Sequence, residues 1–161
     1  MLQVITLIII AVLVAIDQII KLLVIEHLEP IGSLTLIDGF IQLNYAENTG
    51  AAFGSFSGKT SLLSIFTLVV IIAGIVYLMV KKRKIDVEYV CITLILSGGI
   101  GNLIDRVFRG YVVDYIEFLF VDFAIFNFAD ILVTCSCFVL AGWLLYEIYQ
   151  ESKKEKAKKD E

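Results

Sequence analysis

Gly98-Gly99-Ile100-Gly101-Asn102-Leu103-Ile104-Asp105-Arg106 opens the stretch around which the chain is arranged. Gly110-Tyr111-Val112-Val113-Asp114-Tyr115 continues it, and Phe126-Asn127-Phe128-Ala129-Asp130 closes it. Four Asp, two Asn and two Arg lie between Gly98 and Asp130, inside or against strongly apolar sequence. Charges placed there are costly unless they are paired or functional. Outward from this stretch, composition points to a membrane protein. Of 161 residues, 59% are hydrophobic and the mean hydropathy is +0.90, against about 45–50% apolar residues in a soluble domain. The net charge of -4 says little, because the charges are segregated by position.

The apolar residues fall into runs near the length of about 20 that crosses a bilayer. They predict one integral membrane domain, 1–150, with spans at about 2–24, 61–80, 88–105 and 131–149, and a charged tail, 151–161. The first run lacks the basic start and small-residue cleavage site of a signal peptide and is too long for its apolar region, so it reads as a retained helix. Extracytoplasmic β structure is expected at about 31–57 and 110–128. Ser33 to Ile37 and Phe40 to Tyr45 read as strands joined by the two-residue hairpin signal Asp38-Gly39. Tyr111 to Tyr115 reads as a third strand, and Ile116 to Phe128 as a surface or re-entrant piece. The fold class is therefore an all-α membrane protein of four transmembrane helices with a small extracytoplasmic β-hairpin or cradle. The loop from Lys81 to Glu88 carries four Lys/Arg and the tail five Lys. Both termini are thus expected in the cytoplasm. Every unusual polar residue then falls at the outer end of the bundle.

Asp17 and Lys21 stand four residues apart on one helical face, acid first. They read either as an interfacial anchor pair or as a paired charge facing a polar site, and the second reading is favoured. Asn48-Thr49-Gly50-Ala51-Ala52-Phe53 offers small residues that permit close backbone approach. Asn102, Asp105 and Arg106 share a helical face, with Arg106 placed to pair with Asp105 or with another carboxylate. If the helices pack antiparallel, Asp114 and Asp130 meet at the outer interface. Two carboxyls in one apolar site hold one proton between them, and such a pair can activate water while protonating a carbonyl. That chemistry needs no metal and no nucleophilic Ser or Cys. Spacing alone leaves bland readings open: Asp130 as a helix cap, Asp114 as a solvated loop acid, Asp105 and Arg106 as a structural ion pair. It also leaves open a small membrane transporter. His27 lacks Cys or His neighbours for a metal site, and Cys91, Cys135 and Cys137 read as packing residues.

These five boxes together resemble lipoprotein signal peptidase (signal peptidase II), a bacterial intramembrane aspartyl peptidase family, over essentially the whole chain up to the tail. The resemblance implies cleavage of diacylglyceryl-modified prolipoproteins just before the lipid-bearing Cys, with Asp114 and Asp130 as catalytic dyad. It implies that Asp17, Lys21, Asn48, Gly50, Asn102, Asp105, Arg106 and Asn127 surround the dyad or bind substrate, while Glu117 and Asp122 match nothing catalytic. It further implies membrane lipids as surroundings, globomycin as a dyad-blocking inhibitor, no cofactor, no nucleic-acid partner, a monomer, and residence in the bacterial cytoplasmic (inner) membrane. A non-catalytic binder of lipidated signal peptides is the other alternative.

Overall fold

In the computed structural model, which describes residues 2–50, 60–80 and 85–159, the apolar runs form four helices. These are α1 (Leu2–His27), α2 (Thr60–Val80), α3 (Val87–Phe108) and α4 (Phe128–Lys159). All four are long and apolar enough to cross a membrane. At 1.5 Å per residue α2 is about 32 Å long and α4 about 48 Å, against a hydrocarbon core of about 30 Å. The last turns of α4, where Lys and Glu accumulate, therefore extend past that thickness, and the expected tail is continuous with the helix. Ala51 to Ser55 of the small-residue stretch, Lys59 and the basic cluster Lys81 to Lys84 lie outside the described residues.

α3 is the hub: it packs against α1, α2 and α4. Its glycines make this possible. A Cβ on Gly98 would run into the Ala129 carbonyl oxygen, and one on Gly101 would stand 2.5 Å from Asp17 Oδ2. Ile10, Ile71, Leu78, Tyr89 and Leu96 form an apolar core shared by α1, α2 and α3. Outward-facing Leu7, Ile8, Phe66, Val69, Phe138 and Leu145 stay exposed, as expected where lipid rather than water is the solvent. Thr6 Oγ lies 2.6 Å from the Tyr89 hydroxyl, and Tyr77 hydrogen-bonds Glu88. These contacts put the starts of α1 and α3 beside the end of α2.

The other end carries a three-stranded antiparallel sheet of β1 (Ser33–Ile37), β2 (Ile41–Asn48) and β3 (Val112–Phe118), with β2 central. The β1–β2 turn holds three residues rather than the expected two. Gly39 takes φ +69 and Phe40 donates its N–H to Ile37 O at 3.0 Å. Phe40 is thereby drawn from the strand into the turn, the usual three-residue hairpin loop with a left-handed glycine. α3 is capped at its start by the Asp86 side chain, which accepts from Tyr89 N–H at 2.8 Å. Past its end the chain reverses at Gly110, φ +84, into β3. Val113 and Tyr115 then pack on Val24 and Leu28 at the end of α1. Ile116 to Phe128 forms no spanning helix. β3 runs on to Phe118, and the chain folds back so that Ile116 and Phe126 exchange backbone hydrogen bonds at 2.8 and 3.0 Å. Phe40 stacks on Phe120 at 4.9 Å, and Phe118 lies 5.2 Å from Phe126, giving the fold-back an aromatic seam.

Candidate active site

The buried charged side chains and the amides beside them form one network at the sheet end of the bundle. Its centre is Lys21, fully buried, whose ammonium meets Asp17 Oδ2 at 2.9 Å, Asp105 Oδ2 at 2.8 Å and Asn102 Oδ1 at 2.8 Å. Three donors find three acceptors, which is what an ammonium away from water requires. Asp105 also accepts from Val113 N–H at 3.3 Å and pairs with Arg109. Gln18 closes this side, donating to Asp105 and to Gly101 O while accepting from Arg109.

From this base the start of α4 is fixed donor by donor. A helix leaves its first N–H groups without intrahelical partners. Here Phe128 N–H goes to the Tyr115 hydroxyl, Ala129 N–H to Asp17 Oδ1 and Asp130 N–H to Asn127 Oδ1. Asn127 N–H returns to Asp130 Oδ2 at 3.2 Å, completing a reciprocal capping box. Asp130 is therefore the third residue of the helix, and Asn127 holds the cap position. Burial pushes the Tyr115 phenol up to about 12, so it serves as a neutral hydroxyl.

Asp114, on β3, is brought to the same place. Asn127 Nδ2 donates to Asp114 Oδ1 at 2.6 Å and Asn48 Nδ2 to Asp114 Oδ2 at 2.9 Å, while Asn102 Nδ2 donates to Asp130 Oδ1 at 2.7 Å. The orientation of each amide is set by an unambiguous neighbour. Gly50 N–H binds Asn48 Oδ1, Lys21 binds Asn102 Oδ1, and Asp130 N–H binds Asn127 Oδ1. The amide N–H groups then turn toward the carboxyls, with Asn127 Nδ2 donating also to Asn102 Oδ1 at 3.2 Å. Burial, and then the neighbouring Asp130 charge, push the Asp114 carboxyl up to about 7 against the pull of these amides. Asp114 and Asp130 both line one cavity of about 440 Å³. Its other walls are mainly apolar, with Phe118, Phe123, Phe126 and Ile131 among them, a proportion usual for sites that bind apolar ligands.

The structure thus brings together all ten residues the sequence singled out, in two tiers. Asn48, Asn102, Arg106, Asp114 and Asp130 line the cavity. Asp17, Lys21, Gly50, Asp105 and Asn127 stand behind or beside them, joined by hydrogen bonds. Arg106 does not pair with Asp105, which Arg109 has taken. Its Nη2 reaches Gly50 O at 3.3 Å and its Nη1 reaches Asn102 O at 3.5 Å, while its buried Nε has no partner among the described residues. Sequence reasoning missed Gln18, Arg109 and Tyr115. Gln18 and Arg109 were visible only as polar residues at a span end and after one, and Tyr115 only as an aromatic strand residue. His27 lies on the surface, 3.9 Å from Glu26. Cys135 lies at the cavity wall.

Comparison with known proteins adds a family context. A family model described as signal peptidase (SPase) II matches residues 9–146. A lipoprotein signal peptidase of Caldanaerobacter subterraneus is 41% identical over 140 residues, 87% of this chain and 95% of that protein. One of Clostridium acetobutylicum is 36% identical over 150 residues, 91% and 96% of the two chains. Among solved structures, a bacterial membrane enzyme determined by the in meso method at 2.3 Å superposes with a TM-score of 0.79. It shares 34% identity over 89% of this chain and 88% of its own. Another, at 1.9 Å, gives 0.75 with 35% identity over 87% and 92%.

Proposed function

This chain belongs to the signal peptidase II family and is a membrane peptidase that removes signal peptides from prolipoproteins; we propose that Asp114 and Asp130 are its catalytic dyad. The observation that carries this is the convergence of the two carboxyls on one apolar-walled cavity, each tied to the same Asn127. Asp114, with its carboxyl raised toward neutrality, holds the shared proton. Asp130, held by Asn102 and by the Asn127 N–H, is the carboxylate that takes a proton from water. The water oxygen bonds to the scissile carbonyl carbon while Asp114 protonates the carbonyl oxygen, giving a neutral diol. Asp130 then returns its proton to the amide nitrogen as the C–N bond breaks, and Asp114 recovers its own from the diol. Both carboxyls end as they began.

The bond broken lies on the N-terminal side of the diacylglyceryl-bearing Cys, at the level where such a lipid meets water. A site at the helix ends, walled by apolar side chains, suits a bond at that depth. In the same reading, the sheet end faces away from the cytoplasm and both termini face it, in a bacterial inner membrane where the chain acts as a monomer among lipids and is blocked by globomycin. The buried charged residues gather at one end of the bundle and α2 carries no charged side chain, which favours a peptidase over a transporter. Asp114→Asn and Asp130→Asn should each abolish cleavage of a diacylglyceryl-Cys peptide by purified, folded protein, and globomycin should block the wild type. A single Asn variant turning over at a near-normal rate rejects the dyad.

A further inference from the structure

Besides the dyad cavity, a second apolar space reaches Asp130. It is a slot of about 230 Å³ between α2 and α4, floored by α3, and Asn102, Arg106, Asp130 and Thr134 line both spaces. Resting on the peptidase reading above, we propose that this slot seats one acyl chain of the substrate's diacylglyceryl group.

The dimensions select the occupant. At that volume the slot is below the usual range for ligand pockets, about 300–1,000 Å³, and too small in volume to hold a helix about 10 Å across. From Arg106 down to Ile95, both at its wall, α3 descends about 16 Å at 1.5 Å per residue. That is one leaflet of a hydrocarbon core about 30 Å thick, the depth of an acyl chain anchored at the interface. The walls are Val70, Ile71 and Ile95, with Thr67 and Thr134 as the hydroxyl-bearing side chains between helices. An extended peptide would bring backbone N–H and C=O groups with nothing to satisfy them, whereas an alkyl chain brings none. Gly99 keeps the floor low: a Cβ there would already touch Ile71 at 3.7 Å and Thr67 at 3.9 Å. Arg106 stands at the mouth, its Nη groups held only at 3.3 and 3.5 Å and its Nε without a partner among the described residues. The glyceryl ester carbonyls are acceptors of the right kind at that level.

The test compares lipopeptides bearing two octanoyl or two palmitoyl chains, cleaved by wild type and by Val70→Trp. Val70 is 41% exposed on the slot wall, so the larger ring fills the slot without invading the core. Lipid tails are as apolar as the slot, so the lost contact is packing rather than transfer from water. KM for the palmitoyl substrate should rise about fivefold (about 1 kcal/mol) with kcat retained, and KM for the octanoyl substrate should stay within about twofold. An equal change for both substrates, or none for either, overturns the assignment. A second measurement uses the wild-type chain: a palmitoyl substrate with a photoreactive group at the acyl terminus and a non-cleavable scissile bond. Cross-links to residues 66–71 or 95–99 support the slot, and cross-links confined to residues 118–126 refute it. Failure of the dyad itself would appear separately, as cleavage by Asp114→Asn.

Discussion

Asp114→Asn should do two things at once: end catalysis and change how stability depends on pH. Asp114 is 2% exposed and its carboxyl is moved from 3.8 to about 7, mainly by burial and then by Asp130. The unfolded chain ionises this group near pH 4 and the folded chain near 7. Between those values the folded state binds more protons, so stability falls as pH rises. At 1.36 kcal/mol per pH unit the loss amounts to about 4 kcal/mol by pH 8. The substituted amide carries no such titration. It brings its own fixed cost, because one of its two ends must present N–H to the amide of Asn48 or Asn127. That mismatch is worth about 1–3 kcal/mol and does not vary with pH. The variant should therefore melt below wild type at pH 4–5 and gain on it steadily, matching or exceeding it at pH 8–9. The relative gain is about 4 kcal/mol, or roughly 10 °C at about 2–4 °C per kcal/mol. Thermal melts in detergent followed by Trp143 fluorescence across that pH range read it directly. A melting difference that stays flat from pH 4 to 9 would show that Asp114 titrates as an ordinary carboxylate, and the proton assignment would fall with it.

Lys21→Met should cost about 3–5 kcal/mol, because Asp17 and Asp105 are left buried without their cation; the yield of folded protein in mild detergent measures it, and wild-type yield and melting temperature would refute it. The rate of lipopeptide cleavage should follow a bell in pH, with its alkaline limb near 7 as Asp114 gives up the shared proton, and should be the same with and without EDTA; a rate still rising through pH 9, or one lost to chelation, contradicts a two-carboxyl mechanism.

Hydrophobic run length made the four helices legible, because about 20 apolar residues allow few other outcomes in this chain. The Gly-bearing third run and the strands around Asp38-Gly39 were legible from local pattern, whereas spacing alone left Asp114 and Asp130 open as a loop acid and a helix cap, and the family resemblance singled them out. What was not legible depends on how the helices are rotated against one another. Ala129 N–H reaches Asp17 across 112 positions, and Gln18 reaches Asp105 across 87. No periodicity encodes those distances. Asp130 as third residue of its helix could have been read, since Asn127-x-x-Asp130 is a capping-box spacing; the acid drew attention away from the amide that caps. The three-residue turn escaped because Asp38-Gly39 signals a two-residue hairpin equally well, and only the β1–β2 register separates the two.

The amides explain how two carboxyls are held close without a dedicated cation on each. Asn48, Asn102 and Asn127 direct their oxygens to Gly50 N–H, the Lys21 ammonium and the Asp130 backbone N–H, and turn N–H groups toward the carboxyls. Amide dipoles contact the carboxyls directly while the Arg106 guanidinium lines the same cavity, and the proposed mechanism keeps one proton between the acids. A lysine in place of any of these amides would ion-pair with its neighbouring acid and abolish that sharing. The buried Lys21 ammonium is kept one layer back, where it orients Asn102 and compensates Asp17 and Asp105. In the proposed mechanism, placing the cation behind an amide rather than against Asp114 or Asp130 lets the same cluster hold the helices together while one dyad carboxyl keeps its proton and the other acts on water.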